Sequence, residues 1–241
     1  MFDYTWFLAA VVVILASGLQ SITGFGFGVT AVPLFLIFLD AKTSVSLSVV
    51  ISFFSVSILA HQVRESLSYN LVKNILIGAA IGIPMGVYVF YHFNLQSLKL
   101  LISIAVIIIS FILFTGYRFK IKEGRAIDIC VGIISGIMTP SMGMPGPPVV
   151  LFFNNKQVEK SAFRATFAFY NAVVYVPSIL FMLFLGSLSK IFIIKALSLV
   201  PVALIGGYIG RKIFPHVPQE YFQKGVPLFV FITAMYSLIG G

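Results

Sequence analysis

Residues 139–150 read TPSMGMPGPPVV, an interruption of Thr, Pro, Gly and Met inside an otherwise apolar run. A proline lacks an N–H and its ring clashes with the preceding helical turn, so the stretch is predicted not to be regular helix. In hydrocarbon, exposed backbone that pairs with nothing costs several kcal/mol per group. The break must therefore be buried in protein or line a polar cavity, and which of these holds bears directly on function.

The surroundings set the class. Of 241 residues 59% are hydrophobic and 10% charged, and the mean hydropathy is +1.06. Soluble domains carry roughly 25% charged residues. The apolar runs are continuous and do not alternate, so the reading is an all-α integral membrane protein and not a barrel. The first 18 residues lack the basic region of a secretory signal and are read as structure. Cys130 is the one cysteine, so disulfides and cysteine-based metal sites are not expected. The net charge of +9 fits the Lys/Arg bias of cytoplasmic loops. Nucleic-acid binding is disfavoured, because no basic run lies clear of the membrane.

Apolar segments fall at about 5–22, 26–39, 44–61, 71–91, 97–117, 126–138, 148–153, 165–186, 191–213 and 222–240. Six are long enough to span about 30 Å of hydrocarbon. The pairs 5–22/26–39 and 126–138/148–153 are each read as two short arms around a Gly-rich break. If both pairs are hairpins, 12 Lys and Arg residues share one side and only Lys42, Lys99, Lys190 and Lys195 lie on the other. If each pair crosses once, the split is even. The positive-inside rule selects hairpins and puts both termini outside the cytoplasmic (inner) membrane.

The halves echo each other. SGLQSITGFGFG (17–28) lies over SGIMTPSMGMPG (135–146) at an offset of 118, and Gly82, Gly86 and His92 lie over Gly206, Gly210 and His216 at 124. The organisation read from this is a first repeat over 1–117, a basic cytoplasmic loop over 118–125 and a second repeat over 126–241. Each repeat is a Gly/Pro-broken, re-entrant-like helical hairpin followed by three transmembrane helices. Three crossings invert the second repeat, so the breaks approach from opposite leaflets, the sequence signature of transporters.

GFGFGVTAVPLFLIFLDAKTSV (24–45) and SGIMTPSMGMPGPPVVLFFN (135–154) resemble the TauE/SafE family of sulfite and organosulfonate exporters, and SAFRATFAFYN (161–171) is similar to the family's Arg-containing stretch. The resemblance spans the chain. It implies a secondary transporter that exports a small sulfur oxyanion or short organosulfonate.

Such an anion suits helix N-termini, where free N–H groups and the positive dipole end bind negative charge. Two helices are expected to begin near Gly28 and Gly146, with Gly24, Gly26 and Gly143 admitting close backbone approach. Thr23, Thr139 and Ser141 are candidate hydroxyl donors, and Gln20 and Ser21 stand one turn earlier. The plainer reading is that Gly and Pro only allow tight packing. Paired breaks at repeat-equivalent positions favour a substrate site.

Arg164, Asn171, Tyr175 and Ser178 share one helical face, as do Ser44, Ser48, Ser52 and Ser55. Intramembrane polar residues usually face a bundle interior or a wet cavity. Both stripes are therefore expected to flank the path, with Arg164 drawing anions in and Asn171 beside them. The alternative is that the serines bond to their own helix and Arg164 snorkels to headgroups.

Gly78, Gly82 and Gly86 form a small-residue face, read as packing against a neighbouring hairpin, with a homodimer seam as second choice. His61, His92 and His216 lie at span ends without metal-ligand spacing, so no metal or cofactor is expected. No acid falls mid-span. An intramembrane enzyme would need a base there, which sets that class aside and leaves an anion channel as the nearest rival and a structural subunit behind it. The expected partners are a small anion and membrane lipids.

Overall fold

The computed structural model describes residues 4–23, 26–115, 124–186, 188–213, 228, 231, 232 and 234–236. Gly24, the side chain of Thr23, most of the basic loop, His216 and most of the segment 222–240 lie outside the described residues.

Ten α-helices are described: α1 (Tyr4–Thr23), α2 (Phe27–Phe35), α3 (Ala41–Gln62), α4 (Tyr69–His92), α5 (Leu95–Thr115), α6 (Arg125–Met142), α7 (Gly146–Asn155), α8 (Lys160–Phe184), α9 (Lys190–Ser198) and α10 (Val200–Ile213). Seven stretches among the described residues are long and apolar enough to cross a membrane, with α9 and α10 together making one of them. The caps follow local chemistry. The Asp40 carboxylate accepts the Thr43 N–H at 3.0 Å to start α3, and the Ser189 hydroxyl accepts the Phe192 N–H at 3.1 Å to start α9.

Two expectations about the breaks are corrected. The segments 5–22 and 126–138 were read as short arms, but Tyr4–Ser21 and Arg125–Met142 are each 18 residues and long enough to span. Residues 139–142 were expected to be non-helical, yet α6 runs through Pro140 to Met142. A proline inside a membrane helix is tolerated when neighbouring helices and Ser/Thr side chains satisfy the freed backbone. Thr139 donates to the Ser135 carbonyl at 2.7 Å and Ser141 to that of Ile137, on either side of the Gly136 carbonyl that loses its partner at Pro140. Pro147 and Pro148 occupy the first turn of α7, where no N–H is needed within the helix. The true interruption is residues 143–145, turned by left-handed Gly143 (φ 69°). Gly26 (φ 103°) turns the other break just before α2. A side chain at either position would be strained.

Glycine seams hold the bundle together. Gly78, Gly82 and Gly86 on α4 press on the backbone of Ile129, Ile133 and Ile137 of α6, while Gly132 and Gly136 of α6 press on Ile75 and Ala79. Gly206 and Gly210 of α10 press likewise on Ile14, Ser17 and Gly18 of α1. Lipid is as apolar as leucine, so this close packing supplies association that burial from water cannot. The α4 glycine face is thus filled from within the chain, and a homodimer would need another surface. At the corner of α4, α6 and α7, Lys156 pairs with Asp128 at 3.5 Å and Asn74 donates to Asp128 at 3.1 Å. That pair brings the residue after α7 beside the first turn of α6.

Candidate functional site

The two breaks touch. A methyl group on Gly28 would overlap the carbonyl of Gly143, so α2 begins directly against the end of α6. The Gly143 carbonyl also accepts the Ser48 hydroxyl at 3.1 Å, which ties the contact to α3. Behind the second break, Tyr170 donates to Ser135 at 2.7 Å and Ser135 donates to the Pro145 carbonyl. This brace fixes the turn from the α8 side.

Between the breaks lies a cavity of about 10 Å³ walled by Gln20, Gly26, Phe27, Gly28, Val29, Met144, Pro145, Gly146, Phe167, Asn171 and Tyr175. That is room for a single water. Five of the residues expected at the site (Gln20, Gly26, Gly28, Gly146 and Asn171) therefore converge on one point. Asn171 is 4% exposed and its Oδ1 has no hydrogen-bond partner among the described residues. An unmet buried polar group is costly, and a carboxamide can offer either its oxygen or its NH2 by turning over.

The two helix starts are unequal as anion donors. The first N–H groups of a helix have no partner within it, so α2 presents those of Phe27, Gly28 and Val29. In α7 the corresponding turn contains Pro147 and Pro148, preceded by Pro145, and none of these carries an N–H. Gly146 is the amide left at that tip. Of the two helix starts expected near Gly28 and Gly146, the first therefore offers three free amides and the second one.

Other expected residues sit elsewhere. Thr139 and Ser141 spend their hydroxyl protons on their own helix. Neither faces the cavity between the breaks. Gly143 contributes contact and not cavity wall. Ser21 donates to the Gly18 carbonyl at 2.8 Å and lines a second cavity of about 230 Å³ with Ser17, Gln20, Ser55, Gln62 and Arg211. Arg164 reaches the Ser21 carbonyl at 3.2 Å through Nη2, while its buried Nε lacks an acceptor among the described residues.

Both polar stripes meet the site. On α3, Ser48 holds Gly143 and Ser55 donates to Gln20 Oε1 at 3.0 Å. On α8, Asn171 and Tyr175 form cavity wall. Ser44 and Ser178 bond to their own helices. Sequence reasoning missed Ser135, Tyr170 and Arg211. The alignment of Ser135 on Ser17 was a usable signal for the first; nothing in the pattern marks the other two.

No curated protein and no solved structure matches the chain. The family model described as "Sulfite exporter TauE/SafE" matches residues 9–237. Helices apolar enough for repeated crossing and a family match over nearly its whole length lead to one conclusion: this chain is a multi-pass membrane protein that belongs to the TauE/SafE sulfite exporter family.

Proposed function

We propose that the protein is a secondary transporter that exports sulfite or a short organosulfonate across the cytoplasmic membrane, holding the anion where the two helix breaks meet. The observation that carries this is the abutment of Gly28 on Gly143, with the unmet carboxamide oxygen of Asn171 at the same cavity. The α2 amides supply positive potential without a buried cation. Gln20 and Asn171 supply side-chain amides that can donate to oxyanion oxygens.

On this reading each break turns a hairpin, and the two hairpins come from inverted repeats. Two facts support it. The Asp128–Lys156 pair joins the open ends of α6 and α7. The repeat-equivalent glycine helices also exchange partners: α1 packs on α10, and α6 packs on α4. Each half thereby lends its first helix to the other half, in matching seams. A cavity with room for one water cannot hold sulfite as it stands, so the breaks must part during the cycle. That favours a transporter over a permanently open channel.

The test is flux of radiolabelled sulfite and ethanesulfonate in proteoliposomes, with Gly26→Val and Gly143→Val beside the wild type. The expected result is anion flux by the wild type and its loss in both variants. Absence of flux for every small anion by monodisperse wild-type protein would overturn the proposal.

A further inference from the structure

We propose that the cavity of about 230 Å³ between α1, α3 and α10 is a second anion station, with Arg211 as its charged end and Gln20 as the partition from the breaks. The inference rests on the transport reading and deepens it by naming where the anion waits and what admits it.

Charge comes first. Among the described residues the one ion pair is Lys156–Asp128, so neither arginine has an acidic partner there. Arg211 lines the cavity, and Arg164 donates to the carbonyl of Ser21, which lines it too. A guanidinium without an acid beside it offers charge-assisted hydrogen bonds to a small oxyanion, and Arg211 is the cation in this wall. Ser17, Ser21, Ser55 and Gln62 add polar wall, as a hydrated oxyanion requires.

The partition is equally specific. Gln20 belongs to the wall of both cavities. Its carboxamide oxygen is held by Ser55 at 3.0 Å. Releasing that bond and turning the side chain would join the large cavity to the small one. The station has no counterpart in the other half: at the repeat-equivalent positions Gln20 becomes Met138 and Arg211 becomes Val87. The anion is therefore gathered at one end of the protein only, the end that the basic residues mark.

The experiment uses detergent-purified full chain and proteoliposomes, with sulfite as probe. Sulfite binding is measured by titration calorimetry and flux by radiolabel, for wild type, Arg211→Gln, Arg211→Lys and Gly207→Val. Gly207 is suited to filling the cavity, because a Cβ there meets nothing nearer than 4.0 Å. Arg211→Gln is expected to raise the Kd and the KM about tenfold and to flatten their dependence on ionic strength. Arg211→Lys should recover most of the loss, and Gly207→Val should cut flux at least about fivefold by occluding the cavity. Wild-type flux with Arg211→Gln at the wild-type KM, or Gly207→Val at the wild-type rate, would overturn the station and leave the transporter standing. Arg211-dependent binding without any flux would do the reverse. A wild type that neither binds nor moves sulfite would overturn both.

Discussion

The corner formed by α1, α3 and α10 and the corner formed by α6, α8 and α4 are built on matching sequence, yet one is hollow and the other full. Ser17 and Ser135 align, as do Ser21 and Thr139. At the first corner Ser17 bonds back to Val13 at 2.6 Å and a cavity of about 230 Å³ remains. At the second, Ser135 is spent on Pro145 and Tyr170, and Phe167, Tyr170 and Val174 are buried in one cluster with Ile75, Ala79 and Ile83. The lesson is that a shared backbone plan leaves the choice between wet and dry to a few side chains.

The largest expected effect is at the contact between the breaks. Gly28→Val drives a branched side chain into the Gly143 backbone, and sulfite flux should fall to background. Overpacking of this kind costs about 1–3 kcal/mol. Purified variant with wild-type flux would show that the breaks do not need to touch.

Next come the seams. Gly82→Ala places a methyl on the Ile133 carbonyl of α6 and should destabilise by about 1–3 kcal/mol, read as a lower melting temperature. Gly207→Ala, on the hollow side, meets only ordinary contact and should be neutral or gain up to about 1 kcal/mol from helix propensity. Equal losses at both glycines would erase the distinction between the corners.

A smaller effect is expected at the brace. Tyr170→Phe removes the donor to Ser135 and should cost about 1 kcal/mol in thermal unfolding, more if Ser135 is left unmet. Smallest is Asp128→Asn. It weakens a pair whose side chains are 21% and 11% exposed, and the Asn oxygen can still accept from Asn74, so about 1 kcal/mol or less is expected. A loss of several kcal/mol would make that pair a principal clamp of α6 to α7.

Much of this was legible in the chain because backbone needs are written in residue type. Glycines at 26, 28, 143 and 146 marked where helices stop and touch, and Gly78, Gly82 and Gly86 marked a seam. Proline was less informative. Pro140 looks like a breaker, but burial and the hydroxyls around it let α6 continue. Thr139 and Ser141 bond within α6, which residue type alone does not reveal. Arg211 was invisible for a different reason. At the end of a basic helix terminus it reads as a topology signal, and only its place in the wall of the large cavity gives it another meaning.

The most direct measurement is anomalous diffraction from crystals grown with selenite, a heavier isostere of sulfite. The account predicts selenium density against the α2 amides between Gly28, Gly146 and Asn171, with the breaks moved apart to admit it. Selenium found only on the outer surface, with Gly28 still closed on Gly143, would contradict it.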